Sequence, residues 1–201
     1  MTRIPTAHIP PARRRRPLLL AIGLVVTASV IIAAVLGLQS PRRSSASPPT
    51  EAPPDGAVSG DVTVFDDTTP AVGRLDPDLL KALRQAATDA SVDGVTFYVN
   101  SGWRSPEYQN RLLSEAVSTY GSEAEAARWV ATADTSPHVS GDAVDLGRSD
   151  ATAWLAEHGA AYGLCRIYGN EPWHYELRTE AAVHGCPAPY ADPTEDPRMQ
   201  Q

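Results

Sequence analysis

Hydrophobic and polar positions divide the chain into one long apolar run, one polar stretch and a body patterned at helical and strand periods. Residues Leu18 to Leu38 carry no charge and are almost wholly Leu, Ile, Val, Ala and Gly. At about 1.5 Å rise per residue the run is long enough to cross roughly 30 Å of hydrocarbon, so it is predicted to be a membrane-spanning signal anchor. A cleaved signal peptide is the alternative, but its apolar core is usually only about 7 to 15 residues. From Ser40 to Gly60 there are five Pro, five Ser and two Gly, too little apolar matter to offset the entropy of ordering, which predicts an extended spacer. The expected organisation is a basic tail over 1–17, the anchor over 18–38, the spacer over 39–60 and one folded domain over 61–201.

Within that domain Asp76 and Pro77 form an N-cap and first-turn pair, and Leu79, Leu80, Leu83 and Ala87 recur on one helical face, predicting a helix to about Ala90. The β-branched and aromatic segment Val95 to Asn100 predicts a strand. Ser105 with Pro106 opens a second helix, and Ser122 with Glu125 has the spacing of a capping box for a short third one. Ala143 to Leu146 reads as a strand, Ala151 to His158 as a helix closed by Gly159 at C′, and Leu164 to Tyr168 and Trp173 to Leu177 as two further strands. Helices and short strands mix without a βαβ rhythm, so the class is α+β.

Charge sharpens this division. The net charge is -7, yet residues 1 to 43 hold seven Arg and no acid, leaving ten basic against 24 acidic residues in the rest. An acidic body excludes a nucleic-acid partner. Arg13, Arg14, Arg15 and Arg16 precede the apolar run, so the positive-inside rule keeps that end cytoplasmic and places the domain outside the cell membrane. Secretion after signal cleavage would export it too. Cys165 and Cys186 are the only cysteines, and in an oxidising compartment they are expected to pair. Two cysteines cannot build a four-cysteine zinc site, so any metal is held mainly by His and carboxylate.

Five histidines are available. His8 lies in the basic tail, His158 in the last turn of a predicted helix where a cation suits the dipole, and His184 in a late loop, which leaves His138 and His174. In Ser136-Pro137-His138-Val139-Ser140-Gly141-Asp142-Ala143-Val144-Asp145, Gly141 allows the chain to fold back and bring an imidazole and a carboxylate to one metal ion. The bland alternative is a solvated His138 and a turn-capping Asp145. Asn170-Glu171-Pro172-Trp173-His174-Tyr175-Glu176 adds another imidazole and two carboxylates. Strand alternation puts Glu176 on the face of His174, whereas Pro172 suggests that Glu171 lies in a loop just before the strand. Both carboxylates remain open on these grounds.

Ser136-x-His138-x-x-Gly141-x-Ala143-x-Asp145, then Glu171-x-x-His174, preceded by Ser101-Gly102-Trp103-Arg104-Ser105, resembles the VanY-type D-alanyl-D-alanine carboxypeptidases. These are zinc peptidases related to VanX-type dipeptidases and phage endolysins. The resemblance covers roughly Asp61 to the C-terminus. It implies that His138, Asp145 and His174 bind Zn2+, that Glu171 rather than Glu176 is the general base, and that Arg104 stabilises transition-state charge. It also implies the α+β fold shared with the Hedgehog signalling domain, built on a central antiparallel sheet, and a peptidoglycan stem peptide as substrate. Gln109, one turn into the second helix, is expected to support the pocket. The rival readings are an endopeptidase or dipeptidase of the same fold, or a noncatalytic cell-wall-binding module that keeps zinc structurally.

Overall fold

The structure is a computed structural model that describes residues 53–200. The basic tail, the signal anchor and most of the spacer lie outside the described residues. Among the described residues seven α-helical segments and four strands follow in the order α1 (Pro70–Gly73), α2 (Pro77–Ala90), β1 (Tyr98–Ser101), α3 (Pro106–Tyr120), α4 (Glu123–Ala126), α5 (Pro137–Ser140), β2 (Ala143–Gly147), α6 (Ser149–His158), β3 (Leu164–Arg166), β4 (His174–Leu177) and α7 (Ala181–His184). The strands form one antiparallel sheet in the order β1-β2-β4-β3, giving the α+β architecture expected from the sequence.

The main helices start where their caps dictate. The Asp76 carboxylate accepts from the backbone N–H groups of Asp78 and Leu79, and Ser105 and Ser122 do the same for Tyr108 and Glu125. Helix α2 buries Leu79, Leu83, Ala86 and Ala87 against one face of the sheet, where Val99, Val144, Leu146, Leu164 and Tyr175 meet Phe97, Trp154 and Leu155. Complete burial of side chains such as Leu79 and Leu83 contributes roughly 1.5–3 kcal/mol each. The opposite face of β2 and β4 carries Asp145, His174 and Glu176, all buried and all polar.

Several boundaries differ from the sequence expectation. Strand β1 starts at Tyr98 rather than Val95, because residues 95–97 serve other partners: the Val95 N–H closes a turn on the Ala90 carbonyl, and the Phe97 carbonyl accepts from Val64. Gly159 is right-handed (φ -58°) and runs on into a 3-10 turn, and the left-handed terminator is Gly163 (φ 75°). A Cβ at Gly159 would lie 2.5 Å from the Leu164 carbonyl oxygen, so glycine serves close approach there rather than a helix stop. Strand β3 ends at Arg166; Ile167 and Gly169 then bond the backbone of Tyr190, which brings the C-terminal segment alongside. Residues 53–60 pack on the domain, for the Asp55 carbonyl accepts from the Ser105 N–H and its carboxylate pairs with Arg111 at 2.8 Å.

Cys165 and Cys186 are joined in a disulfide with Cα atoms 5.5 Å apart, the pairing expected from the sequence. It closes a loop whose ends are 21 residues apart, a constraint on the unfolded chain of about 3 kcal/mol. Replacing both cysteines by serine is expected to lower unfolding stability by about that amount in urea titrations. An unchanged midpoint, or two titratable thiols in the native protein, overturns this.

Candidate active site

Sheet register assembles the polar face. Asp145 of β2 stands opposite His174 of β4 on one side and opposite Ser101 of β1 on the other. His138 arrives from the single-turn helix α5 rather than from a loop, and Gly141 ends that turn in the left-handed region (φ 86°). A Cβ at Gly141 would lie 2.7 Å from the Arg74 carbonyl oxygen, so both conformation and space require glycine. The Arg104 N–H donates to the His138 carbonyl at 3.0 Å, tying the first motif to the second.

His138 Nε2 lies 3.4 Å and His174 Nδ1 3.1 Å from the same oxygen, Asp145 Oδ1. One donor atom from each of the three residues falls within 4.8 Å of the others. Tetrahedral zinc with bonds of about 2.0–2.2 Å separates its ligand atoms by roughly 3.3–3.6 Å, so both nitrogen–oxygen distances stand close to the spacing that such an ion takes. The far sides of all three are engaged. His138 Nδ1 bonds the Gly102 carbonyl at 2.9 Å, His174 Nε2 bonds Glu176 Oε1 at 3.2 Å, and Asp145 Oδ2 accepts from Arg104 at 2.9 Å. Each ring and carboxylate is thereby oriented from behind, as a ligand set requires.

The structure separates the two carboxylates that the sequence left open. Glu171 lies before β4, with Oε2 3.7 Å from the metal-side nitrogen of His174, and it lines the cleft. Glu176 shares the face of His174 as strand alternation foresees, but it sits behind the ring, 1% exposed and paired with Arg198 and Arg178. Burial pushes the Glu171 carboxyl up to about 7, the Asp145 charge adds to this, and His174 only partly offsets it. Burial also works against ionised Glu176, yet hydrogen bonds from His174 and Arg198 outweigh it and bring its pKa to about 2. His174 is opposed by burial too, but its bonds to Asp145 and Glu176 raise it to about 9. Burial and the Arg104 cation lower His138 and favour the neutral ring.

Arg104 is engaged on three sides: Nε donates to Ser101 Oγ at 2.7 Å and one terminal nitrogen to Gln109 Oε1 at 3.1 Å, while the other holds Asp145. Gln109 is buried and passes its amide N–H to the Ala131 carbonyl, which fixes the support expected of it. A guanidinium has five N–H donors, so two remain beyond these three bonds, and the residue lines the cleft. The cleft, of about 290 Å³, is lined by Arg104, His138, Asp145, Glu171 and His174 together with Tyr120, Trp129, Trp173 and Met199. A second depression of about 270 Å³ meets it at Arg104, Asp145 and Trp173 and continues towards Asn100 and Tyr108. Ser136 was visible in the sequence only as a motif residue; it lines the cleft, and its buried hydroxyl has no hydrogen-bond partner among the described residues. His158 stacks on Trp154 at 4.4 Å and His184 ends α7, both away from the cluster.

Comparison with known proteins matches this geometry to a family. A D-alanyl-D-alanine carboxypeptidase of Enterococcus faecalis (strain ATCC 700802 / V583) is 32% identical over 136 residues, 55% of this chain and 51% of the relative. The chain thus spans about half the length of that curated relative. A vancomycin resistance D,D-pentapeptidase VanY mutant from a VanB-type resistance cassette, solved in complex with Zn(II), is 31% identical with a TM-score of 0.51, covering 55% of this chain and 76% of its own. VanYB in complex with D-alanine-D-alanine is likewise 31% identical, with a TM-score of 0.50 over 54% of this chain and 75% of its own. The LdcB LD-carboxypeptidase, 22% identical with a TM-score of 0.52 over 69% and 75%, shares the fold. Residues 73–179, over half the chain and the span that holds Arg104, His138, Asp145, Glu171 and His174, match the family described as VanY, D-alanyl-D-alanine carboxypeptidase, and the chain belongs to that family.

Proposed function

We propose that the chain is a zinc D-alanyl-D-alanine carboxypeptidase that removes the terminal D-Ala from peptidoglycan stem peptides. The observation that carries the reading is the His138, Asp145 and His174 cluster with Glu171 beside it on the floor of an open cleft. Zinc held by those three ligands supplies a Lewis acid that polarises a carbonyl and makes water nucleophilic near neutral pH. Glu171 accepts the proton of the attacking water and returns it to the leaving amine, one group serving as base and then acid. The free N–H donors of Arg104 face the charge that develops on the carbonyl oxygen. The unpartnered Ser136 hydroxyl offers a hydrogen bond to the peptide end. The groove continues on both sides of Arg104 and Asp145, which gives a long acyl chain somewhere to lie and favours a polymer-linked stem over a free dipeptide.

The same reading takes the fold to be that of Hedgehog-type domains. It places the domain outside the cell membrane, anchored by residues 18–38, where stem peptides are met. The apolar run, its four preceding arginines and the two cysteines support this.

Glu171→Gln in the full chain is expected to keep the metal while slowing turnover by about 10²–10⁴, since it removes a proton acceptor and no ligand. The assay is conversion of a pentapeptide stem to tetrapeptide plus free D-Ala. Full activity of Glu171→Gln sinks the role of Glu171, and release of intact D-Ala-D-Ala moves the chain to endopeptidases. Zinc binding is expected to release protons. His174 in the metal-free state holds a proton up to about pH 9, and the ion must replace it at Nδ1. Glu171, protonated below about 7, adds a second release when a dication lowers its pKa. Apparent zinc affinity, measured by chelator competition, therefore rises with pH, more steeply below 7, and levels above about 9; a flat profile from pH 6 to 9 contradicts the assignment.

A further inference from the structure

The geometry points to Arg198, outside the span matched by the family, as a positioning residue for the metal centre that acts through Glu176 on His174. This rests on reading the His138, Asp145 and His174 cluster as the zinc site. The guanidinium lies between two acids. One terminal nitrogen donates to Glu176 Oε2 at 2.7 Å and the other to Glu176 Oε1 at 3.1 Å, a fork on one carboxylate. Its Nε donates to both Asp196 oxygens at 3.1 Å, and Asp196, fully buried, also accepts from the Tyr168 hydroxyl at 3.0 Å. The arginine is thus held from behind while it holds Glu176 in front.

Glu176 Oε1 is the oxygen that bonds His174 Nε2. Arg198 donates to both oxygens and so sets the plane of the carboxylate; Arg178 approaches Oε2 alone, at 2.8 Å. A fixed plane keeps Oε1 on the rear nitrogen of the imidazole, which leaves Nδ1 directed at Asp145 and the ligand cluster. Without Arg198 the carboxylate can turn about its own axis, and the ring loses its fixed orientation. The segment that delivers Arg198 is fastened in its own right. Tyr190 and Ala191 bond the backbone of residues 167–170, Asp192 pairs with Arg128 at 2.8 Å, and Pro193 and Met199 line the cleft.

The test measures zinc dissociation from the purified full chain by chelator competition, with the visible absorption of the cobalt(II)-substituted protein as a second readout. Arg198→Met is expected to weaken zinc by about 10–100-fold and to alter the cobalt spectrum, while Arg178→Met changes affinity by less than about threefold. Arg198→Lys, which keeps a charge without the fork, is expected to recover part of the loss. In a Glu176→Gln background Arg198→Met is expected to add less than about threefold, because its route is already cut. If Arg198→Met does not fold, Arg198→Lys takes its place in the same cycle. Zinc affinity within threefold of the parent, or losses that multiply in full in the double variant, overturns the proposal. A parent chain that takes up no stoichiometric zinc overturns the underlying site reading, and shows it before any variant is made.

Discussion

The register between β2 and β4 is the constraint on which the site depends. Pairing Asp145 with His174 puts a carboxylate and an imidazole side by side on one face, and because side chains alternate, it puts Val144, Leu146 and Tyr175 into the core on the other. A slip of one residue would send His174 towards Phe97 and Trp154 and expose Tyr175 to the cleft. The apolar face therefore enforces the polar geometry: the burial that stabilises the sheet opposes any one-residue slip of the ligands. Ser101, the third residue in the row, extends the same logic to β1 by receiving Arg104.

Three buried carboxylates share this small volume, and their surroundings sort them. Asp145 has Arg104 behind it, and Glu176 has Arg198 and Arg178. Among the described residues Glu171 has no arginine within ion-pair distance and only His174 at 3.7 Å, so in the metal-free state burial outweighs that partner, while His138 and His174 keep Asp145 ionised and His174 and Arg198 keep Glu176 ionised. Removing a carboxylate from water where nearby cations offset only part of the cost is the physical means by which one of three similar groups is raised towards neutral pH in the metal-free state. The same acids that hold the cluster thus leave one member free for chemistry.

Much of this was legible in the chain. Asp76-Pro77, Ser105-Pro106 and Ser122 placed three helix starts because capping is local, and strand alternation put Glu176 on the face of His174. The role of Glu176 was not legible, since it follows from Arg198, 22 residues on, and nothing in local spacing reports such a partner. The start of β1 was missed for the same reason: Phe97 bonds Val64 across more than 30 residues of chain. Helix α7 and the two 3-10 turns after it carry too little periodic apolar pattern to be seen, although Asp192 caps the first of those turns much as Asp76 caps α2.

The disulfide encloses Glu171, His174 and Glu176 in one covalent ring. Two ligands of the cluster come from α5 and β2, outside that ring, and the third from β4 inside it. Release of an ion bound by all three requires breaking bonds to both sides, and the ring limits how far β4 can draw away from β2 to help break them. Metal exchange is then governed by a kinetic barrier as well as by affinity, so a dilute competitor would strip the site more slowly than equilibrium alone implies.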